Sequence, residues 1–241
     1  MRKSVICSVA PLRREPSDKS EMISQALYGE RAEILEHQEK WSMVRMEADG
    51  YEGWIDNKQL AVVQSDDSLV MLSSAISPCV LSNGELIILP AGSLISSDLR
   101  CDSTQPGWNG SAESLESCAL QFLNAPYLWG GRTVLGIDCS GFTQLLMRLN
   151  GKMLPRDAYQ QAECGSPINF IEEAQTGDLA FFDNSEGRII HVGMVLRQSP
   201  TNVRIIHASG CVRIDTLDHE GIFNHTSEQY THKLRIIKRI E

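Results

Sequence analysis

At Ser111 the spacing of apolar residues changes, and this change constrains the architecture more than any other feature of the chain. Beyond it, Leu115, Cys118, Ala119, Phe122 and Leu123 recur at i, i+3, i+4, i+7 and i+8, the period of an amphipathic helix, until Pro126 stops the run. A second helix is expected after Asp138-Cys139, with Phe142, Leu145, Leu146 and Leu149 on one face and Asn150-Gly151 at its end. After that only strand-like runs remain, at 178–183, 189–196, 203–208 and 234–240. Helices followed by consecutive strands predict an α+β domain, with helices packed on an antiparallel sheet.

Before Ser111 there are only short runs between polar breaks. Residues 1–63 offer strands at 5–9, 31–36, 41–46, 53–55 and 60–63, with Asp49-Gly50 as the strongest hairpin turn, which suggests a small all-β barrel. Residues 64–109 are poor in charge and carry short apolar runs around an Asn83-Gly84 turn, so they read either as a β-rich linker or as a degenerate second β unit. The expected organisation is therefore 1–63, 64–109 and 110–241.

Of the 241 residues 22 are basic and 31 acidic, a formal net charge of −9, and no segment is basic. Nucleic-acid binding needs a Lys/Arg surface to displace counterions, so that class of partner is excluded. No apolar run approaches the length of a membrane span, and the N-terminal apolar stretch is too short and broken for a signal sequence. A cytoplasmic protein is expected, exported only if a signal segment has been removed.

Seven cysteines, at 7, 79, 101, 118, 139, 164 and 211, form no Cys-x-x-Cys pair and suggest neither a disulfide framework nor a zinc site. Only Cys139 opens an amphipathic helix, behind a loop holding Gly130, Gly131 and Gly136 and an N-cap candidate, Asp138. Backbone N–H groups and the helix dipole there should lower the thiol pKa from its usual ~8.5. The other six read as small residues of a reducing compartment.

A nucleophilic cysteine needs a base. His191 shares a strand face with Gly193 and Val195, and His207 shares one with Val203 and Ile205. A hairpin centred on Ser199 would set positions 191 and 207 directly opposite, making the imidazoles cross-strand neighbours. His191 could then take the Cys139 proton while His207 orients its ring, and glycine at 193 leaves room beside the base. His37, His219, His225 and His232 lack this context and read as surface residues.

The segments Pro126-Tyr-Leu-Trp-Gly-Gly, Gly136-Ile-Asp-Cys-Ser-Gly-Phe, Leu154-Pro-Arg-Asp-Ala-Tyr-Gln-Gln, Thr176-Gly-Asp-Leu-Ala-Phe-Phe, His191-Val-Gly-Met and Ile206-His-Ala-Ser-Gly occur in order. Together they resemble the NlpC/P60 cysteine peptidases, over roughly residues 110–241. Gly29-Glu30, Trp41-Ser-Met-Val and Asp49-Gly50 with Gly53-Trp54-Ile55 resemble a bacterial SH3 (SH3b) domain over 1–63. The pair is similar to the γ-D-glutamyl-L-diamino acid endopeptidases of the dipeptidyl-peptidase VI type.

The resemblance implies a papain-like catalytic fold. It makes Cys139 the nucleophile, His191 the general base and His207 the third member. It further implies Tyr127 as an oxyanion donor, or else a buried tyrosine with one hydrogen bond. Asp138 and Ser140 would bind the substrate's free amine, although Asp138 would serve equally as a plain N-cap. Tyr51 would close the amine subsite. Arg156 and Asp157 would border the groove or form an internal ion pair. No metal or organic cofactor is required. The implied reaction is hydrolysis of the D-γ-glutamyl–diamino acid bond in murein peptides with a free N-terminal L-Ala, in wall-peptide recycling. The alternative is an exported hydrolase of intact wall stems, with SH3b as a targeting module.

Overall fold

The computed structural model describes residues 2–62, 69–81, 83–96, 99–101, 111–199 and 202–241. Its contacts divide the chain into two compact units, residues 1–107 with 129–134, and residues 108–128 with 135–241. The boundaries expected at 63/64 and 109/110 lie outside the described residues.

The first unit begins with β1 (Arg2–Val5), β2 (Val9–Arg13), β3 (Met22–Leu27), β4 (Arg31–His37), β5 (Trp41–Met46), β6 (Glu52–Asp56) and β7 (Leu60–Val62). They form one antiparallel sheet in the order β3-β2-β6-β5-β4-β1-β7. Each strand sends at least one side chain into a single core: Val5, Ala10 and Leu12, Ala26, Ala32, Val44 and Met46, Ile55, and Leu60. Of the strand expected at 5–9, residues 6–8 are instead the connection between β1 and β2, and Met22–Leu27 is a strand that the residue pattern does not announce. The Asp49-Gly50 turn closes the β5–β6 hairpin, with Gly50 at φ +71°.

Five further strands follow: β8 (Leu69–Met71), β9 (Ile76–Val80), β10 (Leu86–Pro90), β11 (Leu94–Ser96) and β12 (Arg100–Cys101). They make two small sheets, β10-β9-β12 and β11-β8, around Leu72, Cys79, Leu89 and Ile95. Here the cysteine expectation fails. Cys79 and Cys101 form a disulfide that ties β9 to β12, and the two residues are register partners across that strand pair. Spacing along the chain hides this, because strand pairing rather than sequence separation brings the two sulfurs together.

Residues 129–134 return to the first unit and include β13 (Arg132–Thr133). Gly130, at φ +78°, lies so close to the Met22 carbonyl that a Cβ would sit 2.6 Å from its oxygen. Arg132 is buried and pairs with buried Glu30 through two hydrogen bonds of 3.0 and 3.1 Å. Its Nη1 also donates to the Gln25 carbonyl at 2.7 Å, and Glu30 accepts from the Leu27 N–H at 2.8 Å.

The second unit contains α1 (Ala112–Leu120), β14 (Gly136–Ile137), α2 (Cys139–Leu149), α3 (Ala158–Gln161), β15 (Ser166–Ile168), β16 (Leu179–Asp183), β17 (Ile189–Ser199), β18 (Asn202–Ser209), β19 (Cys211–Leu217), β20 (Gly221–Asn224) and β21 (Gln229–Arg239). The sheet runs β15-β21-β16-β17-β18-β19-β20, and β20 pairs again with β21, so that β16 to β21 close on themselves. Strands dominate this unit and the helices are few, so the α+β expectation fits only roughly. The residue pattern does not announce β19, whose apolar run is interrupted by charged Arg213 and Asp215, nor β20, which is only four residues long.

Both expected helices are present. Ser111 caps α1, its Oγ accepting from the Ser114 N–H at 3.1 Å. Asp138 caps α2, its Oδ1 accepting from the Gly141 N–H at 2.7 Å, and Gly151 ends that helix at φ +72°. All eleven residues of α2 are buried, not one face only, which marks it as the central helix of its unit.

Because removing one partner strands a buried charge, Glu30→Ala should destabilise the protein by about 3–5 kcal/mol. Urea unfolding measures this, and a change below 1 kcal/mol would show that the pair is not buried in solution.

Candidate active site

Cys139 is the first residue of α2 and is 8% exposed. Its sulfur accepts main-chain hydrogen bonds from Val192, the residue after His191, and from Ser140. The expectation of a lowered thiol pKa is reversed. Burial pushes the thiol up to about 12 and the neighbouring Asp138 carboxylate adds to the rise, against smaller opposite effects of Val192, Arg156 and Ser140. Desolvation therefore outweighs the helix N-terminus, and the resting group is a neutral thiol.

His191 lies on β17 and is 5% exposed; His207 lies on β18 and is 1% exposed. The expected register is corrected. His207 stands opposite Gly193, not opposite His191, because β17 and β18 extend further toward their turn and a bulge occurs between Arg197 and Ser199. The imidazoles still meet diagonally on one face, with His191 Nε2 and His207 Nδ1 sharing a 2.8 Å hydrogen bond. Gly193 makes this possible, since a Cβ there would lie 2.8 Å from His207 Cβ and 2.7 Å from Ile205 Cδ1.

Two participants were missed in the sequence. Asp215 of β19 accepts from His207 Nε2 at 3.0 Å and is itself gripped by Arg213, through Nε at 2.7 Å and Nη2 at 2.9 Å. A usable signal existed: the turn at Gly210 pairs His207 with Arg213 and so places Asp215 one diagonal step away. His232 of β21, expected on the surface, stacks on His191 with ring centres 4.2 Å apart and planes 25° apart. Burial, then His207, lowers the His232 pKa to about 4. Burial, followed by His207 and His232, holds His191 well below the usual imidazole range, so it is neutral and able to accept a proton. His37, His219 and His225 are exposed.

Asp138, Ser140 and Arg156 form one buried cluster beside the nucleophile. The Arg156 guanidinium, 2% exposed, spans both Asp138 carboxylate oxygens, from Nη1 at 3.0 Å and Nη2 at 2.7 Å, and Nη1 also reaches Ser140 Oγ at 2.8 Å. The ion pair between Arg156 and Asp138 keeps a negative group next to the thiol without leaving it unbalanced. Asp157 starts α3 in a capping box, its N–H reaching Gln160 Oε1 at 3.4 Å.

Tyr127 is held by its N–H donating to the Gly210 carbonyl at 2.9 Å and by bridging to Ile137, just before Asp138. Burial, with Cys139 and Asp138 adding, raises its phenol to about 12, so the hydroxyl stays protonated and can donate. Tyr51 lies in the first unit before β6, half-buried against that unit's core, with its N–H on Asp49 Oδ1 at 3.0 Å. Among the described residues no group of His, Cys, Asp and Glu is arranged to hold a metal ion.

A thiol at the start of a buried helix, bonded to the main chain of the residue after a neutral imidazole, and a second imidazole bonded to the first define a cysteine peptidase. The NlpC/P60 family profile matches residues 124–232, and the bacterial dipeptidyl-peptidase Sh3 domain profile matches residues 12–60. A γ-D-glutamyl-L-lysine dipeptidyl-peptidase of Bacillus subtilis (strain 168) is 32% identical over 71% of this chain and 68% of its own length. Dipeptidyl-peptidase 6 of Lysinibacillus sphaericus is 28% identical over 91% of this chain and 93% of its own. A solved NlpC/P60 family protein from Bacillus cereus ATCC 10987 superposes with a TM-score of 0.80 at 20% identity, covering 99% of each chain. The chain belongs to the NlpC/P60 family, and it carries a bacterial SH3 domain ahead of the peptidase domain.

Gly193→Ala should lower peptidase activity by about 100-fold, since a misplacement of the base near 1 Å costs that much, while the fold loses about 1–3 kcal/mol from overpacking. Activity assays beside thermal melts separate the two effects, and an unimpaired enzyme would contradict the tight fit described here.

Proposed function

We propose that this peptidase hydrolyses the bond between γ-D-glutamate and the diamino acid of murein peptides that begin with a free L-Ala. The observation that carries the reading is the set Cys139–His191–His207, bordered by Tyr127 and by the Asp138–Ser140–Arg156 cluster. Relatives named γ-D-glutamyl-L-lysine dipeptidyl-peptidase and dipeptidyl-peptidase 6 support the substrate class.

In this reading Cys139 Sγ attacks the γ-glutamyl carbonyl carbon as its proton passes to His191. The Tyr127 hydroxyl donates to the developing oxyanion. Collapse of the tetrahedral intermediate breaks the C–N bond, and His191 returns the proton to the departing amine. Water, activated by the same imidazole, then hydrolyses the thioester and restores the thiol. The free L-Ala ammonium is assigned to Asp138 and Ser140, with Arg156 holding the carboxylate in place; Asp157 borders the groove.

The specificity is tested with L-Ala-γ-D-Glu-meso-diaminopimelate and its N-acetylated form. Acetylation should lower kcat/KM by at least about 30-fold, as removal of a buried charge partner costs about 2–5 kcal/mol. Equal rates would remove the free-amine assignment.

One observation favours the second reading, an exported enzyme. Disulfides are rare where glutathione keeps thiols reduced, and Cys79 and Cys101 are joined. Disulfide mapping of protein trapped in its own cells should find this link intact if the enzyme works outside the cytoplasm. Two free thiols there would return the assignment to cytoplasmic recycling.

A further inference from the structure

From the hydrogen-bond chain behind the base we infer that Asp215, fixed by Arg213, is a positioning residue that sets the tautomers of both His207 and His191. The inference rests on Cys139 and His191 as nucleophile and base, but not on the identity of the substrate.

Hydrogen bonds from His207 and Arg213 outweigh the burial of Asp215 and keep its carboxyl below the usual range, so it is an acceptor only. The nitrogen 3.0 Å away, His207 Nε2, must therefore carry hydrogen and donate. The site is competent in the state in which His207 is neutral, and its other nitrogen, Nδ1, is then an acceptor. Across the 2.8 Å bond His191 Nε2 must donate to it. Neutral His191 is left with its lone pair on Nδ1, free for the Cys139 proton. Two carboxylate oxygens are needed because Arg213 occupies both, Nε on Oδ2 and Nη2 on Oδ1.

The opposite arrangement disables the site. With hydrogen on His207 Nδ1, the 2.8 Å bond reverses, His191 Nε2 becomes the acceptor, and neutral His191 carries its hydrogen on Nδ1. His191 then has no free lone pair with which to take the thiol's proton. The carboxylate also gives the imidazolium formed during catalysis a negative partner through His207. The titratable and charged groups facing the two imidazoles are Cys139 from α2, through its bond to Val192, His232 from β21, and Asp215 and Arg213 from β19. Of these only Asp215 can define a tautomer, since His232 meets His191 by its ring face.

Asp215→Asn keeps the size of the side chain but offers one acceptor where Arg213 and His207 require two. Its kcat should fall about 10- to 100-fold, the loss expected for one hydrogen bond to a charged group, with KM within about twofold. Removing the negative charge also lowers the proton affinity of the imidazole pair, so the acid limb of the kcat/KM profile should move to lower pH. A merely structural residue would lower the rate without moving that limb. Because the variant could unfold, the wild-type protein supplies the second readout. In ¹⁵N spectra of histidine-labelled enzyme at neutral pH, His207 and His191 should both carry hydrogen on Nε2 and none on Nδ1. An Nδ1–H tautomer at either residue, or an Asp215→Asn enzyme with unchanged kcat and acid limb, overturns the inference. Correct tautomers in a protein inactive on the murein peptide would instead count against the substrate reading alone.

Discussion

The 2.8 Å bond between His191 and His207 is the contact on which the site depends. It exists because β17 and β18 pair in the register that puts His207 opposite Gly193, and because glycine leaves the diagonal open. Side chains sharing that face, among them Phe182, Val195, Ile205, Leu217 and Ile222, fill an apolar core beneath the imidazoles. The rings are thus held dry and fixed, which makes hydrogen bonds between them strong and their tautomers well defined.

Burial has opposite consequences for the two reacting groups, and both favour the neutral pair. It raises the Cys139 thiol and lowers the His191 imidazole. The proton therefore starts on sulfur, and in the proposed reaction the ionic pair arises only as bond formation begins, when the Tyr127 hydroxyl is proposed to stabilise the charge that moves to oxygen. Ion pairs appear where a lone charge would be intolerable. Arg156 covers Asp138, Arg213 covers Asp215, and in the first unit Arg132 covers Glu30. Buried pairs of this kind add little net stability but are costly to break, so they specify geometry.

Much of this was legible in the sequence. The start of α2, its Asp138 cap and its Gly151 end follow from local chemistry, and so do the shared face of His191 with Gly193 and the Asp49-Gly50 hairpin. The exact strand register was not legible, because the length of a hairpin turn and the bulge at Arg197–Ser199 depend on pairing. The thiol's pKa was misread for a related reason: a helix N-terminus is visible in residues, but the burial of every residue of α2 is a tertiary fact. His232 is 41 positions from His191 and meets it only once β21 has paired with β16. The Cys79–Cys101 link likewise needs the pairing of β9 with β12.

The central claim is that Cys139 carries the acyl group. The most direct measurement is intact-protein and peptide mass spectrometry after acid quenching of the enzyme during turnover of L-Ala-γ-D-Glu-meso-diaminopimelate. The account predicts an L-Ala-γ-D-Glu thioester on the peptide containing Cys139, absent from Cys139→Ala. An adduct on any other residue, or continued hydrolysis by Cys139→Ala, would contradict it.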